Sequence, residues 1–443
     1  MRGLVPTRGR LRKMKSNVRL RSGIALFVLA ILGLCHSLSF AQGKTEAPAK
    51  TDYFKPITDG DGMRYPLEIG PLVWHVVGSG IYPVKGSDGL THLAYELMFT
   101  NVWRFPATIN SVEAVDPAQD NKVTGSNRVL SIKNEDVTGQ VKLFSLPTTQ
   151  DKANYSTEIP GGQSGVMFFD VTYADPSQVP HAIAHRVTVS IPQVERMPKS
   201  VVVSRPVKVS SMDAIVLSPP MKGDGWVDSN GCCLEIGPHR FVTNPMNGTL
   251  DPSEGFAIDW IKVDAQGHAY TGDGKKPEQW LDYGVDVLAV APGTVVEVMR
   301  DLPNEPPGKT PDDLTIAQIA GNRVILDLGY GRYVMYAHLV PNSILVHVGD
   351  YVRQGEKIGL LGNSGNTDAP HLHFQVMDRP SSLDATSLPF VFDSMQLQGR
   401  IKMNLDELDN AIIHKASDLP IETMGDKALT RSMPLSLDIV SFK

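Results

Sequence analysis

The segment His371-Leu372-His373-Phe374-Gln375-Val376 is the most informative stretch in the C-terminal half of this chain. It has the length and composition of a short strand, and residues two apart on a strand point to the same face. His371 and His373 therefore project side by side. The preceding residues, 362–370, are rich in Gly, Asn and Asp and form a turn that would present the strand at an open edge. Taken alone, two neighbouring imidazoles at such an edge are a modest signal: they fit a metal-binding or catalytic pair, and they also fit a chance surface pair.

Further short strands surround this segment, with glycine turns between them. One strand ends in Tyr336-Ala337-His338-Leu339, and residues 346–362 contain two more. Upstream, residues 283–296 read Tyr-Gly-Val-Asp-Val-Leu-Ala-Val-Ala-Pro-Gly-Thr-Val-Val. These spaced motifs, within residues 235–378, resemble the lysostaphin-type zinc peptidases, also called LytM-like or duplicated-hybrid-motif peptidases. The resemblance covers roughly a third of the chain and implies a β-rich peptidase domain.

The resemblance also implies a role for individual residues. The family binds one Zn²⁺ through a His and an Asp from an early motif and through the second His of the His-x-His pair. Here that second His is His373, and the Asp is assigned to Asp259 in Phe256-Ala-Ile-Asp-Trp260. The family's catalytic pair corresponds to His338 and His371. Which of these two acts as general base is left open.

The early motif departs from the family pattern, which usually reads His-x-x-x-Asp. The position four residues before Asp259 is Gly255. The nearest upstream candidate for the missing ligand is His239, twenty residues before Asp259, with a Gly-, Asn- and Pro-containing loop between the two. We expect His239 to be the ligand. The rival is His268, which lies in an insertion and follows Asp259 instead of preceding it.

This donor set predicts a hydrolytic metal centre. Three protein ligands leave Zn²⁺ a fourth position for water, which is typical of catalytic zinc sites. A histidine near the metal can move protons because its ordinary pKa is close to 6.5. The sequence therefore predicts a zinc metalloendopeptidase with one Zn²⁺ per chain. Peptidoglycan cross-links are the expected substrate, and Gly-rich peptides are the alternative.

The second hypothesis is that the chain has no enzymatic activity. Relatives of this fold have lost metal ligands and serve as regulators or scaffolds, so the chain could be an inactive wall-binding or regulatory protein. The full set of predicted site residues favours the peptidase. Zinc stoichiometry, and the activity of a His371 variant, would separate the two hypotheses.

The rest of the chain is predicted to be mostly β. Residues 65–192 contain alternating runs, such as Leu93 to Phe99, that indicate an antiparallel β-sandwich-like domain of unknown role. The Pro-containing stretch 193–222 is predicted to be a linker. The peptidase domain is expected over 223–392, with insertions at 264–283 and 301–320 that could wall a groove. Residues 393–443 are expected to be a C-terminal tail with a weak helical stretch at 404–415.

The first 41 residues have the order of a secretory signal peptide: a basic stretch, the apolar run 23–34, and the small residues of Ser39-Phe40-Ala41. We expect cleavage there, with an uncleaved N-terminal anchor as the alternative, followed by a flexible tail over 42–64. The mature protein would then lie in the periplasm, the cell envelope or outside the cell, without a stable membrane span. Cys35 follows the bulky Leu34, which argues against a lipoprotein site.

Charge excludes one class of partner. The formal net charge is −6, although residues 1–41 contribute eight basic residues and no acidic one, so the mature chain is more acidic still. Nucleic-acid binding depends on clustered Lys and Arg and is not expected. The oligomeric state cannot be predicted. After cleavage two cysteines remain, Cys232 and Cys233, and free buried thiols are favoured over a vicinal disulfide or a structural zinc site.

Overall fold

The computed structural model describes residues 57–58, 64–65, 68–125, 141–144, 155–233, 237–414 and 419–443. The predicted signal peptide, with Cys35, and most of the predicted tail at 42–64 lie outside the described residues. No helix among the described residues has the length and apolarity needed to cross a bilayer.

The N-terminal part of the described chain is built of antiparallel strands. In chain order they are β1 (Ile57–Thr58), β2 (Arg64–Tyr65), β3 (Leu72–Val76), β4 (Pro83–Lys85), β5 (Thr91–Asn101), β6 (Ala107–Asp116), β7 (Lys122–Val123), β8 (Val141–Leu143), β9 (Tyr155–Ser156), β10 (Glu158–Ile159), β11 (Ser164–Tyr173), β12 (Ala182–Ser190), β13 (Lys199–Val203) and β14 (Val207–Lys208). One sheet has the order β3-β5-β11-β8-β9, with β4 also paired to β5. The other has the order β10-β6-β12-β13, with β7 on β6 and β14 on β12.

The two sheets enclose one apolar core. Alternate residues of β5 point into it, among them Leu93, Tyr95, Leu97 and Phe99, and all four are buried. Tyr95 stacks on Phe169 of the neighbouring strand β11, with ring centroids 5.4 Å apart. The predicted antiparallel β-sandwich is therefore confirmed.

The C-terminal part forms a second, larger sheet system. Its strands are β15 (Ile215–Leu217), β16 (Gly223–Ser229), β17 (Thr243–Met246), β18 (Thr249–Pro252), β19 (Ile258–Lys262), β20 (Asp286–Leu288), β21 (Gly293–Met299), β22 (Arg323–Asp327), β23 (Tyr333–Ala337), β24 (Tyr351–Val352), β25 (Lys357–Leu360), β26 (Leu372–Met377), β27 (Phe390–Ile401), β28 (Ile421–Ser432) and β29 (Asp438–Phe442). The main sheet has the order β15-β27-β29-β16-β19-β26-β23-β22-β21-β24, with β28 also paired to β27. The hairpin β17–β18 and the pair β20–β25 lie outside it.

The order β19-β26-β23 in the main sheet brings distant motifs together. Asp259 on β19 lies directly opposite His373 on β26, and His373 lies opposite Ala337 on β23. His338 follows Ala337 at the end of β23. Residues far apart in sequence thus meet at one place on the sheet because their strands are neighbours.

The structure differs from the predicted linker and tail. Within 193–222, β13 pairs with β12 in the sandwich, and β15 pairs with β27 in parallel. Within 393–443, β29 lies between β27 and β16, and all five of its residues are buried. The short run Asp438–Phe442 gave no clear strand signal, because its partners are strands about 40 and 215 residues upstream. Strands β27, β28 and β29 of this segment are integral parts of the main sheet.

The segment between β27 and β28 contains helix α1 (Leu405–His414), close to the predicted helical stretch. Leu405, Leu408 and Ile412 are buried against Tyr270 and Trp280 of the 264–283 insertion. A helix from the predicted tail therefore packs against an insertion of the peptidase region.

Cys232 and Cys233 follow β16, are both buried, and are joined by a disulfide bond. The prediction of free thiols was wrong at this point. The bond lies at the boundary between the sandwich and the main sheet, since Cys233 Sγ comes within 4.8 Å of ligand-type atoms of His92 and Asp170 in the sandwich.

Candidate active site

Asp259 lies between two histidines. Its Oδ1 is 2.9 Å from Nδ1 of His373, and its Oδ2 is 3.0 Å from Nε2 of His239. The three side chains form a group whose ligand-type atoms lie within 4.8 Å of one another. They come from three different elements: a 3₁₀ turn at His239–Phe241, strand β19 and strand β26.

Hydrogen bonds on the far side of each ring fix which nitrogen faces Asp259. Nδ1 of His239 is 3.0 Å from the carbonyl oxygen of Ala257, which can only accept, so Nδ1 carries the proton. On His373 the arrangement is reversed: Nε2 lies 2.7 Å from Oε1 of Gln375. Each histidine therefore turns a potential ligand nitrogen towards the carboxylate, Nε2 on His239 and Nδ1 on His373.

His338 and His371 lie beside this group. Their ring centroids are 4.6 Å apart, and Nε2 of His371 is 3.4 Å from Oδ1 of Asp259. Nδ1 of His338 donates to the carbonyl oxygen of Ser364 at 2.7 Å, and Nδ1 of His371 donates to that of Ala369 at 2.9 Å. Both rings thus leave Nε2 free to face the site.

The backbone of His338 is in the left-handed region, with φ 63°. This conformation is uncommon for a residue other than glycine, and its cost must be offset by the surrounding structure. The amide of His338 donates to Ala320, and its imidazole to Ser364. The first turn after β23 is therefore held in a conformation that directs this imidazole towards Asp259.

The charges of the Asp259 group are strongly coupled. Burial alone would raise the pKa of Asp259, but His239 and His371 hold that pKa well below its ordinary value. Burial alone would lower the pKa of His239, but Asp259 raises it to about 9. The pKa of His373 is likewise raised by its hydrogen bond to Asp259, against the effect of burial. The carboxylate of Asp259 is therefore ionised, and it favours the protonated forms of His239 and His373.

His338 has the opposite tendency. Burial lowers its pKa well below the ordinary value, and the neighbouring His371 and His373 lower the pKa further. His338 is therefore neutral at neutral pH, with its Nε2 lone pair available.

The donor chemistry of the Asp259 group fits a zinc ion. Two imidazole nitrogens and one carboxylate oxygen are typical ligands of catalytic zinc, bound at about 2.0–2.2 Å. The side chains of His239, Asp259 and His373 are between 7% and 14% exposed, so a cation there would be largely shielded from solvent. The outward hydrogen bonds to Ala257 and Gln375 are the outer contacts that orient ligating histidines.

The five predicted residues line one cleft of about 460 Å³. One side of the cleft is formed by residues near His239, including Pro238 and Val242, together with Leu383. Thr310 and Ile319 of the 301–320 insertion and Ile412 of α1 also line it. The 301–320 insertion thus lines the cleft as the sequence suggested, whereas no residue of the 264–283 insertion is among its lining residues.

The rival ligand His268 lies elsewhere. Its Nδ1 is 3.0 Å from the carboxylate of Asp264, in the 264–283 insertion. The structure therefore brings His239, and not His268, to Asp259.

Three polar residues around the site were not predicted from the sequence. Asn230 donates from Nδ2 to Oδ2 of Asp259 at 2.9 Å, and its carboxamide oxygen is buried without a hydrogen-bond partner. Glu254 lines the cleft, and Gln375 contacts His373. Gln375 could have been found from strand alternation, since it lies two residues after His373 on the same face. No sequence signal marks Asn230, which reaches the site through a turn after β16.

Comparisons with known proteins agree with the motifs. Residues 281–385 match the model of Peptidase family M23, so this part of the chain is a Peptidase family M23 domain. The chain is 39% identical over 66 residues to the peptidoglycan DD-endopeptidase ShyA of Vibrio cholerae, a stretch that covers 15% of each chain. It is 36% identical over 105 residues to endolysin 2638A of Staphylococcus phage 2638A, covering 23% of this chain and 18% of the endolysin. The matched stretches thus span less than a quarter of these relatives.

Among solved structures, the catalytic domain of lysostaphin from Staphylococcus simulans shares 24% identity, with 38% of this chain and 88% of that domain covered and a TM-score of 0.20. A zinc-containing peptidase from Vibrio cholerae shares 14% identity over 71% of this chain and 86% of that chain, with a TM-score of 0.21. Similarity at this level does not bear on the activity of the chain.

Proposed function

We propose that this chain is an exported zinc metalloendopeptidase that hydrolyses peptide bonds in peptidoglycan cross-links. The observation that carries the proposal is the position of Asp259 between ligand-type nitrogens of His239 and His373, with the His338–His371 pair beside it. His239, Asp259 and His373 would hold the metal, and His338 and His371 would be the catalytic pair.

A Zn²⁺ held by these three residues would lower the pKa of a coordinated water towards about 7 and polarise the scissile carbonyl. The protein's own side chains move the protons. His338 and His371 both present Nε2 to the cleft, so one can take a proton from the attacking water while the other donates to the carbonyl oxygen or to the departing amine. The cleft walls orient the peptide across this pair.

The substrate class rests on the relatives. ShyA is a peptidoglycan DD-endopeptidase, and the phage protein is an endolysin. The cleft is lined by both polar and apolar residues, such as Glu254 and Leu383, which suits a peptide substrate. The leader-like residues 1–41 support export to the compartment that contains peptidoglycan.

Zinc content and cell-wall lysis test the proposal together. The purified mature protein is assayed for zinc, and the loss of turbidity of purified peptidoglycan is followed in parallel. We expect about one zinc per chain and lysis. His239→Ala should lose both. His268→Ala is the matched control, because His268 bonds to Asp264 outside the cleft, and it should retain both.

Three other outcomes would change the proposal. Zinc binding without lysis, or without release of peptides from peptidoglycan, would favour the wall-binding or regulatory protein. Cleavage of Gly-rich peptides but not of peptidoglycan would change the substrate class. A wild type without zinc and without lysis would refute the enzyme.

A further inference from the structure

His239 is the one proposed ligand that lies outside the main sheet. Asp259 and His373 are on adjacent strands of that sheet, whereas His239 begins the short 3₁₀ turn His239–Phe241. Its ring reaches the main sheet through its contacts with Ala257, Asp259 and His373, whereas its backbone belongs to the turn. The position of His239 therefore depends on what holds the turn.

The next residue, Arg240, is anchored in the N-terminal sandwich. Its Nε donates to Oε1 of Glu96 at 2.7 Å, and Nη2 donates to the carbonyl oxygens of Tyr95 and Phe169 at 3.2 and 3.1 Å. The guanidinium also lies 5.7 Å from the ring centroid of Phe168. Both charged residues are buried, Arg240 at 2% exposure and Glu96 at 5%.

Phe241, the next residue of the turn, also packs against the sandwich. Its ring lies 5.5 Å from that of Phe168 and 5.9 Å from that of Tyr155, and the ammonium group of Lys142 lies 4.7 Å from its centroid. The partners are again residues of the sandwich.

The segment between His239 and Asp259 packs on the same surface of the sandwich. Leu250 of the hairpin β17–β18 joins Phe241 against Val77, Val166 and Phe168. One face of β5 fills the sandwich core. On its other face, Glu96 and Met98 are covered by the segment that carries His239, and Ala94 packs into the core of the main sheet. Glu96 and Phe168 lie opposite each other on this outer face.

The buried ion pair between Arg240 and Glu96 favours one position of the turn relative to the sandwich. Removing one partner leaves the other charge buried without compensation, so the two parts of the chain are held at a defined position relative to each other. The three contacts of Arg240 with oxygen atoms of the sandwich allow the turn little freedom.

We infer that the N-terminal sandwich completes the metal site, with Arg240 and Glu96 as positioning residues for His239. The inference rests on the proposed function and assigns the sandwich a role. It also accounts for the spacing of twenty positions from His239 to Asp259, because the chain between them leads from the sandwich surface back to β19. The sandwich is then part of the peptidase and not an accessory module.

Zinc affinity of the full mature chain tests the inference. The dissociation constant is measured by competition with a chromophoric chelator for wild type, Glu96→Gln and Glu113→Gln. Glu96→Gln keeps the side-chain shape but removes the charge that pairs with Arg240. Glu113→Gln is the matched control, because Glu113 pairs with Arg186 at 2.8 Å within the sandwich and does not contact the turn. We expect zinc to bind roughly ten- to a hundredfold more weakly to Glu96→Gln and with wild-type affinity to Glu113→Gln.

Equal zinc affinity in wild type and in folded Glu96→Gln would overturn the inference and leave the proposed function intact. A wild type that binds no zinc would overturn both. Should Glu96→Gln fail to fold, Phe168→Leu serves as the second variant, because it loosens the contact with Phe241 while it preserves every charge. Weakened zinc binding in that variant supports the inference, and unchanged binding refutes it.

Discussion

Oε1 of Gln375 lies 2.7 Å from Nε2 of His373, on the side of the ring away from Asp259. Gln375 is fully buried and lies two residues further along β26. Because the carboxamide oxygen accepts the Nε2 proton, Nδ1 of His373 is the nitrogen left for a metal. His239 shows the opposite arrangement, in which a backbone carbonyl holds the Nδ1 proton and Nε2 faces the site.

The first prediction concerns this contact. Replacing Gln375 with Leu removes the acceptor and leaves the Nε2 proton of His373 buried without a partner. We expect zinc affinity to fall by roughly ten- to a hundredfold, as it does when outer contacts of ligating histidines are lost. The measurement is chelator competition on the purified protein.

Gln375→Glu is the informative companion variant, because it retains an oxygen acceptor at the same position. It should bind zinc more tightly than Gln375→Leu. If both variants bind zinc as wild type does, the tautomer of His373 does not depend on this residue.

The second prediction separates metal binding from proton transfer. His338 has a left-handed backbone, a conformation that Asn adopts more readily than most residues. His338→Asn should therefore keep the turn and the zinc while it removes the imidazole. We expect the rate of peptide hydrolysis to fall by roughly 10²–10⁴-fold, the usual share of a general acid–base residue, at unchanged zinc content.

His347→Asn provides the control for this variant, since its side chain is 71% exposed and pairs with Asp350. It should hydrolyse the substrate at the wild-type rate. Loss of zinc together with activity in His338→Asn would place His338 among the metal ligands and contradict its assigned role.

The sequence was most informative where the chemistry follows from local patterns. His371 and His373 share a face because strand residues alternate, and this follows from the primary structure alone. Strand β26 (Leu372–Met377) lies within one residue of the predicted run 371–376. Assigning His239, however, required the family resemblance, because the twenty residues before Asp259 contain no periodic pattern that brings the two side chains together.

Features that depend on distant pairing could not be predicted. Arginine is usually a surface residue, so the sequence does not indicate that Arg240 is buried. Its guanidinium can be buried because Glu96 and two backbone carbonyl oxygens at the sandwich surface accept its hydrogen bonds. Likewise, Asp438–Phe442 is a central strand only because β16 and β27 lie on either side of it. These five residues, of which Ile439, Val440 and Phe442 are apolar, carry too little local information to indicate a place in a sheet.

The third prediction tests the integration of the C-terminal segment. Leu408 of α1 is fully buried among residues of α1 and the 264–283 insertion. Leu408→Ala should lower the free energy of unfolding by about 2–5 kcal/mol, because it removes buried apolar surface and leaves a cavity. Urea denaturation measures this. Met424→Ala, at a side chain that is 41% exposed on β28, should change it by less than about 0.5 kcal/mol. A small effect at Leu408 would mean that α1 adds little to the fold.

The fourth prediction concerns stability and pH at His92, a buried residue of β5. Its Nδ1 lies 2.9 Å from Asp170 and its Nε2 3.3 Å from Asp88. Burial alone would lower the pKa of His92, but the two carboxylates raise it to about 9. Since the ordinary value is near 6.5, the charged form stabilises the folded state. That contribution is complete below pH 6.5 and is lost as the pH rises through 9.

A shift of this size corresponds to about 2–4 kcal/mol. The free energy of unfolding should therefore fall between pH 6 and pH 10 by about that much more in wild type than in His92→Gln. Taking the difference between the two proteins cancels the titration of all other groups, including His239. Urea denaturation at both pH values provides the measurement. An identical fall in the two proteins would show that His92 is uncharged in the folded state, and that its contacts with Asp170 and Asp88 are neutral hydrogen bonds.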